Sequence, residues 1–520
     1  MSASRSRKRF SSRRCQHTVA KPRGVLHPRV QQVGPDHFGI LCFDCGKRNS
    51  KLLLADFYGR VLIPPTPVPH NRPALDQAIA RTRQAFTQHQ LHDGVVAIER
   101  TGRYHRLVQR AFAAAGFETR ILHPFVTKQY RQPVDPGIKT DDTDLAALHR
   151  ATVTGCALQE QERDEAWTEL QLVIRQRRDL VRKGAALNCQ IREHLEAALP
   201  GYADCFGKLF ESLVPWHLLR HFPSRERLVS AGVTGLCQSL QQADIRFQTR
   251  TLQKLIDWAN QAAPGDLAAD LHRKIALQLC DDRQRKNSEI QALERDIASR
   301  LVQTPYVLLL SFPGINVVSA ADFAGEAGPI RHYANAKCLT GRAGLRPSRY
   351  QSEGVDKPNG RLLRAANHSL RGAIMAIADN LLVCNHHFQV LATQWAAQGK
   401  DPRHTRVKIA LRFCRIAFQM VAGGQVFHHP SIQGRHYILH KLSVFHTEHQ
   451  TGMAEVLRDL QKAIEQLPRH AHAEEAEPLH EELQKIHNGG RRGPQPLGDI
   501  LPIVLARLGV SVVESAGSGE

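Results

Sequence analysis

Four carboxylates and one serine have the types and positions to do chemistry on phosphate. Asp44 ends the apolar run Phe38-Gly39-Ile40-Leu41-Cys42-Phe43, and Glu99 ends Gly94-Val95-Val96-Ala97-Ile98. Asp141 and Asp144 open the stretch that continues into Leu145-Ala146-Ala147-Leu148. If that stretch is helical, the two acids lie one turn apart on one face and can ligate one hard cation through oxygen. A second reading stands beside this one: Thr140 or Asp141 caps the helix, and the acids sit well in its positive first turn. Ser352 lies in a Gly- and Pro-flanked segment with Arg342, Arg346, Arg349, Arg361, Arg364 and Arg371 close in sequence. A serine there can attack a phosphodiester while arginines offset the charge building on the phosphorus oxygens. Equally open is a phosphate-binding loop in which Ser348 and Ser352 only hydrogen-bond a nucleic-acid backbone.

The elements that must position these groups follow from periodicity. Residues 38–44 and 94–99 read as buried strands. Between them, Lys51 to Phe57 and Val61 to Ile63 form a hairpin about Tyr58-Gly59-Arg60. Pro64 to Pro73 reads as a proline-rich linker, and Leu75, Ala78, Ile79 and Phe86 mark a helix. A helix around Leu107–Phe112, a short strand at Thr119–Leu122 and the acidic helix from Asp141 complete the series. Three strands followed by helix, strand, helix, strand, helix match an RNase H-like α/β layer. In that layer Asp44 and Glu99 converge at strand ends, and with Asp141 and Asp144 they make one candidate metal site.

Beyond this layer the pattern becomes helical. Leu170, Val173, Ile174, Leu180 and Val181 line one long amphipathic helix, and Ile290, Leu293, Ile297 and Leu301 line another. Such helices form an antiparallel pair, a dimerising coiled coil or plain intramolecular core. The stretch from Val307 through Phe312-Pro313-Gly314-Ile315 to Phe323 has the form of a helix-hairpin-helix, whose turn at Gly314 can offer backbone N–H groups to phosphate.

Composition narrows the partner. Lys and Arg number 70 against 49 Asp and Glu, a formal charge of +21, which points to nucleic acid. No apolar run reaches the ~18 residues that span a bilayer, so no membrane partner is expected. Met1 to Val30 carries nine Lys or Arg and no acid, which reads as a solvated, disordered arm rather than a secretory signal. Eleven scattered cysteines suit reduced thiols in the cytoplasm, and the lone CxxC at Cys42 and Cys45 lacks the second half of a zinc site.

Taken together, several motifs resemble one family. They are the Asp44 strand followed by Lys47, the Glu99 strand, Lys139-Thr140-Asp141-x-x-Asp144, the Pro-Gly-Ile hairpin and the Ala343-Gly344-Leu345-x-Pro347-Ser348-x-x-x-Ser352 block. The family is the DEDD transposases of insertion sequences, the insertion-sequence one-ten family, with the related Piv invertases. The resemblance implies a RuvC-like DEDD domain at 36–160 after a basic arm at 1–35. It further implies a helical, coiled-coil region with an insertion at 161–300, and a mainly α transposase domain at 301–430. A helical extension at 431–520 lies beyond the family's usual end. By the same resemblance Asp44, Glu99, Asp141 and Asp144 bind Mg²⁺, and Ser352 is the nucleophile that links covalently to DNA. A composite site across protomers, a dimer to tetramer and a structured guide RNA are implied as well. The sequence departs from the family where its usual Ser-Gly-Gly becomes Ser352-Glu353-Gly354, which keeps Ser348 as a second candidate nucleophile, and at the segment 206–264. Three functions compete: a serine recombinase of an insertion sequence, a metal-dependent Holliday-junction-type nuclease or invertase working without a guide, and a non-catalytic nucleic-acid scaffold.

Overall fold

The computed structural model describes residues 26–134, 136–157, 164–353, 355–357, 360–364, 366–428, 437–487, 497 and 500–509. The chain forms two compact units, Met1–Glu162 and Arg163–Glu520.

In the first unit, helix α1 (Leu26–Val33) precedes the meander β1 (Phe38–Cys45), β2 (Asn49–Asp56) and β3 (Val61–Pro69). Helix α2 (Arg72–Gln88), β4 (Asp93–Glu99), α3 (His105–Ala114), β5 (Thr119–Leu122), α4 (Pro124–Arg131) and α5 (Asp141–Val153) follow. The sheet order is β3-β2-β1-β4-β5. β1, β2 and β3 are antiparallel neighbours, whereas β4 runs parallel to β1 and β5 parallel to β4. A mixed sheet of this order is compatible with an RNase H-like fold. The central strands β1 and β4 are covered on both faces, which is why they read as unbroken apolar runs. Leu41, Phe43, Val96 and Ile98 enter one layer with Leu75 and Ala78 of α2 and Val108 and Phe112 of α3. The alternate residues Ile40, Cys42, Val95 and Ala97 enter the other with Leu145, Leu148 and Ala151 of α5. Cys42 and Cys45 are buried thiols of β1.

Two expectations change here. The proline-rich linker at 64–73 is the end of β3 and the start of α2. β3 is an edge strand, where prolines are tolerated because the missing N–H costs no ladder bond on the solvent side. Pro73 falls in the first turn of α2, behind an Asn71 cap that accepts the Ala74 N–H at 2.9 Å. Of the basic arm, residues 1–25 lie outside the described residues, but Leu26–Val33 is helix. There the Arg29 Nε donates to Asp93 at 2.7 Å, and its guanidinium also pairs with Glu118.

In the second unit, α6 (Glu165–Ala198) pairs with α10 (Ala269–Leu301). Contacts run Arg177–Glu294 at 2.6 Å, Asn188–Arg283 at 2.7 Å and His194–His272 at 2.8 Å, so the helices are antiparallel within one chain. Of the arrangements open to these helices, the chain adopts the intramolecular pair. The 206–264 segment supplies α7 (Val214–His221), α8 (Arg225–Gln242) and α9 (Thr249–Gln261). Their Leu218, Leu236, Leu252 and Leu255 close a separate core over Ile191 and Leu195 of α6 and Ala276 of α10.

The rest of the unit is one larger core. It takes in the 3₁₀ turn Pro305–Ser311, α11 (Val317–Ala327), α12 (Ala336–Arg342), α13 (His368–Cys384), α14 (His386–Ala397) and α15 (Pro402–Gly423), while the strands β6 (Tyr350–Ser352) and β7 (Val355–Lys357) stand outside it. It continues through α16 (Ile438–Glu448), α17 (Met453–Gln466), α18 (His472–His487) and α19 (Leu501–Arg507). Leu442, Leu460, Leu479 and Val504 of the carboxy-terminal helices share this core with Phe312, Phe323, Ile374 and Phe413. The first arm of the expected helix-hairpin-helix is 3₁₀ rather than α-helix. Glu326 of α11, wholly buried, joins three elements: it accepts from Arg175 at 2.9 and 3.0 Å, from Arg178 at 2.9 Å and from the Asn367 amide at 3.4 Å. Burial works to raise its pKa, but the hydrogen bonds and charge of Arg175, then Arg178, outweigh it and hold the carboxyl below its ordinary value.

Candidate active site

The carboxylate cluster follows from strand alternation and one helix cap. Phe43 pairs with Ile98 across the parallel β1–β4 ladder, so Asp44 and Glu99 are the next residues on each strand and leave the sheet at the same edge. Alternation sends both to the face that carries Cys42 and Ala97, the face covered by α5. Helix α5 begins there because Thr140 and Thr143 form a reciprocal cap: the Thr140 hydroxyl accepts the Thr143 N–H at 3.2 Å, and the Thr143 hydroxyl accepts the Thr140 N–H at 3.0 Å. The capping and carboxylate readings of this stretch are thus compatible, since the cap is made by threonines and leaves the acids free of that task. Asp144 is buried and Asp141 exposed.

The electrostatics record the convergence. Burial, then the charges of Asp44 and Asp144, push the Glu99 carboxyl up to about 7. Burial, then Asp141 and Asp144, raise the Asp44 carboxyl above its ordinary value. Lys139 opposes both shifts. Two further cations stand in the site that sequence reasoning missed. Arg131, at the end of α4, forms an ion pair with Asp144, and Lys51 of β2 reaches Asp142 at 2.6 Å. The available sequence signal for Arg131 was Pro124 two residues past a strand, a first-turn proline that announces a helix.

As they stand, no three His, Cys, Asp or Glu side chains among the described residues are drawn close enough to hold a metal ion. The donor chemistry nevertheless fits a hard divalent cation: all four groups offer oxygen, and Asp44 and Glu99 carry uncompensated negative charge that such an ion relieves. Arg131 must release Asp144 for all four to ligate.

Ser352 belongs to the second unit and stands at the tip of a ribbon. The ribbon begins where the Leu363 N–H bonds the Arg346 carbonyl at 3.2 Å and the Ser348 N–H bonds the Arg361 carbonyl at 2.9 Å. It continues as β6 against β7, with Ser352 opposite Val355. The segment expected as a loop is therefore a two-stranded arm carrying an exposed serine. Ser348 lies lower on the arm, packed near Gly360.

The six arginines divide by task. Arg349 bonds Asp356 across the arm at 2.7 and 3.0 Å. Arg371, in the first turn of α13, donates to the Ala343 carbonyl at 2.8 Å and to the Leu363 carbonyl, fastening both roots of the arm. Arg342 donates to the Tyr333 hydroxyl at 2.8 Å. Arg346, Arg361 and Arg364 are exposed. Gly314 makes its turn with φ +89° and packs against Leu381 and Cys384 of α13. The neighbouring N–H groups of Ile315 and Asn316 are bonded to the Phe312 carbonyl and the Ser319 hydroxyl.

A carboxylate cluster at the edge of such a sheet, in a chain of formal charge +21, suits chemistry on a phosphodiester backbone. Comparison with known families makes this specific. A model for DEDD transposases of the IS110 group, described as Transposase, matches residues 41–200, which contain all four acids. A second, described as Transposase IS116/IS110/IS902 family, matches residues 306–394, which contain Ser352 and the six arginines. The chain belongs to the IS110 family of insertion-sequence transposases, and its substrate is DNA. No curated protein matches it. No helix among the described residues is long and apolar enough to cross a membrane.

Two outcomes follow from this geometry. Because the folded pKa of Glu99 lies above its unfolded value, the native state holds more protons between about 4.5 and about 7. Its contribution to stability is therefore full below that window and is lost as pH rises through it. In chelator, the melting temperature of Glu99→Gln is expected to fall less steeply than wild type from pH 5 to pH 7 (both pH values approximate); parallel slopes would refute the assignment. At the tip of the arm, Glu353 has φ +41°, a conformation that favours glycine. Glu353→Gly is expected to stabilise the protein by about 1 kcal/mol, read as a higher urea midpoint, and an unchanged or lower midpoint contradicts the strain.

Proposed function

We propose that the protein cuts and rejoins DNA strands with Ser352 as nucleophile and Asp44, Glu99, Asp141 and Asp144 as ligands of Mg²⁺. The observation that carries this reading is the convergence of the four acids near one sheet edge, where burial and then the neighbouring carboxylates push Asp44 and Glu99 toward protonation. Bound there, a divalent cation supplies charge stabilisation to phosphate oxygens. The protein's own groups do the rest. The Ser352 hydroxyl oxygen bonds to phosphorus as the bridging P–O bond of one DNA strand breaks; the hydroxyl proton passes to a nearby carboxylate, and the departing oxygen takes a proton to become a free hydroxyl. Rejoining reverses these steps with a new hydroxyl, so the phosphodiester energy is kept in the phosphoserine. Exposed Arg346, Arg361 and Arg364, with Arg342, would hold DNA phosphates, while Arg349 and Arg371 hold the arm itself. The Gly314 turn is a poorer phosphate site than its sequence suggests, because the Ile315 and Asn316 N–H groups are already bonded.

Placement of the serine on an arm and the acids in a separate compact unit supports a site assembled on DNA, with acids of one protomer and serine of another in a dimer to tetramer. The charge of +21 has room for a second polyanion beside DNA, for which the family resemblance implies a structured guide RNA, and the scattered cysteines suit a cytoplasmic place of action. One observation favours the alternative of a metal-dependent nuclease or invertase: Glu353 places a carboxylate beside the proposed nucleophile. Ser352→Ala is expected to abolish a covalent protein–DNA adduct while leaving DNA affinity within about twofold of wild type. An undiminished adduct rejects Ser352, and cut ends without attached protein favour hydrolysis by water. Purification at high salt followed by sequencing of the retained nucleic acid tests the guide: one discrete structured RNA supports it, and heterogeneous RNA removes it.

A further inference from the structure

Helix α15 lies beyond both family matches, and its exposed face is a cation stripe. Thr405, Ile409, Phe413 and Ala417 bury one side of the helix in the core. Lys408, Arg412 and Arg415, at four- and three-residue spacing, occupy the opposite, exposed side. Lys400 joins them at the amino-terminal end: its ammonium stands 5.7 Å from the centre of the Trp395 ring, and that of Lys408 stands 5.3 Å from the same ring. Two like charges thus share one aromatic ring. Partial desolvation, then the charge of Lys408, hold the Lys400 pKa below its ordinary value.

The neighbouring acids do not relieve this crowding. Residues 366–428 contain Asp379 and Asp401 against Arg371, Lys400, Arg403, Arg406, Lys408, Arg412 and Arg415. Asp379 is paired with Arg406, and Asp401 caps its own helix by accepting the Arg403 N–H at 2.6 Å. No carboxylate pairs with Lys400, Lys408, Arg412 or Arg415 among the described residues. A row of cations without counter-charge on a rigid helix calls for an extended polyanion.

We propose that Lys400, Lys408, Arg412 and Arg415 form a second DNA-binding surface, one that grips the phosphate backbone of a duplex away from the reacting strand. From Lys408 to Arg415 the helix rises roughly 10 Å, and B-DNA presents a charge about every 1.7 Å of its axis, so each cation meets a phosphate without reading sequence. A flexible single strand is the poorer occupant, since such strands are held by bases stacking on open aromatic faces, and here Trp395 is covered by two ammonium groups. The surface goes beyond the serine reading and does not depend on it.

The test is the triple variant Lys408→Gln/Arg412→Gln/Arg415→Gln in the full chain, titrated with a short duplex DNA of arbitrary sequence between ~50 and ~200 mM salt. These side chains are exposed, so the melting temperature is expected to hold. The expected result is at least a roughly tenfold weaker affinity at low salt and a salt slope shallower by about 2 to 3, near 0.9 for each lost phosphate contact. Lys400→Gln alone is expected to lower the slope by about 1. Unchanged affinity and slope for duplex DNA would overturn the proposal, and so would a loss confined to structured RNA. Because the readout is binding, an inactive serine leaves it undisturbed.

Discussion

Like charges cannot be gathered at low cost, and the first unit is built around paying for such a gathering. Two carboxylates that converge beside apolar packing repel each other and lose hydration, and both effects favour the proton over the charge. Parallel pairing of β1 and β4 brings Asp44 and Glu99 to one edge, and the Thr140–Thr143 cap starts α5 against them. The carboxyl of Glu99 stays raised, by burial first and then by Asp44 and Asp144, although Lys139 opposes the shift and Arg131 pairs with Asp144. A polar cluster of this kind is stable in the fold because the strand below it is apolar from Phe38 to Phe43 and the helix turns Leu145, Leu148 and Ala151 onto the same core.

The second unit answers a different requirement, which is to present a small exposed element firmly. A ribbon only a few residues long has no core of its own. Its firmness comes from its roots, where Arg371 ties Ala343 to Leu363 and where Gly344, at φ +64°, leaves no room for a side chain beside Ala366 and Arg371. Behind the roots, the buried Glu326 links Asn367, the cap of α13, to Arg175 and Arg178 on the long helix α6. The arm is thereby tied to the helix pair through groups whose removal would leave a buried charge unpaired.

Much of this was legible in the sequence. β1 and β4 announce themselves because strands covered on both faces must be apolar throughout, and the positions of Asp44 and Glu99 at their ends follow directly. The proline-rich edge strand was hidden, since proline signals a linker except where a sheet edge excuses its missing N–H. Arg131 was hidden too, because its partner Asp144 is 13 residues away in sequence and meets it only after α4 and α5 pack. The long helices showed their apolar stripes, but a stripe has the same period whether it faces another chain or its own. Three-residue strands such as β6 and β7 carry no period at all, so the arm looked like a loop. The carboxy-terminal helices looked like an appendage because their contribution to the common core arises from contacts more than 100 residues distant in sequence, as between Lys441 and the Leu310 carbonyl.

The most direct measurement is calorimetric titration of the chelator-treated protein with Mn²⁺ at neutral pH, in buffers of different ionisation enthalpy, for wild type and Asp44→Asn. If the four acids form a metal site, wild type binds the ion and releases a fraction of a proton from the Asp44–Glu99 pair, while Asp44→Asn binds far more weakly. Equal binding by both proteins, or none by either, would contradict the account.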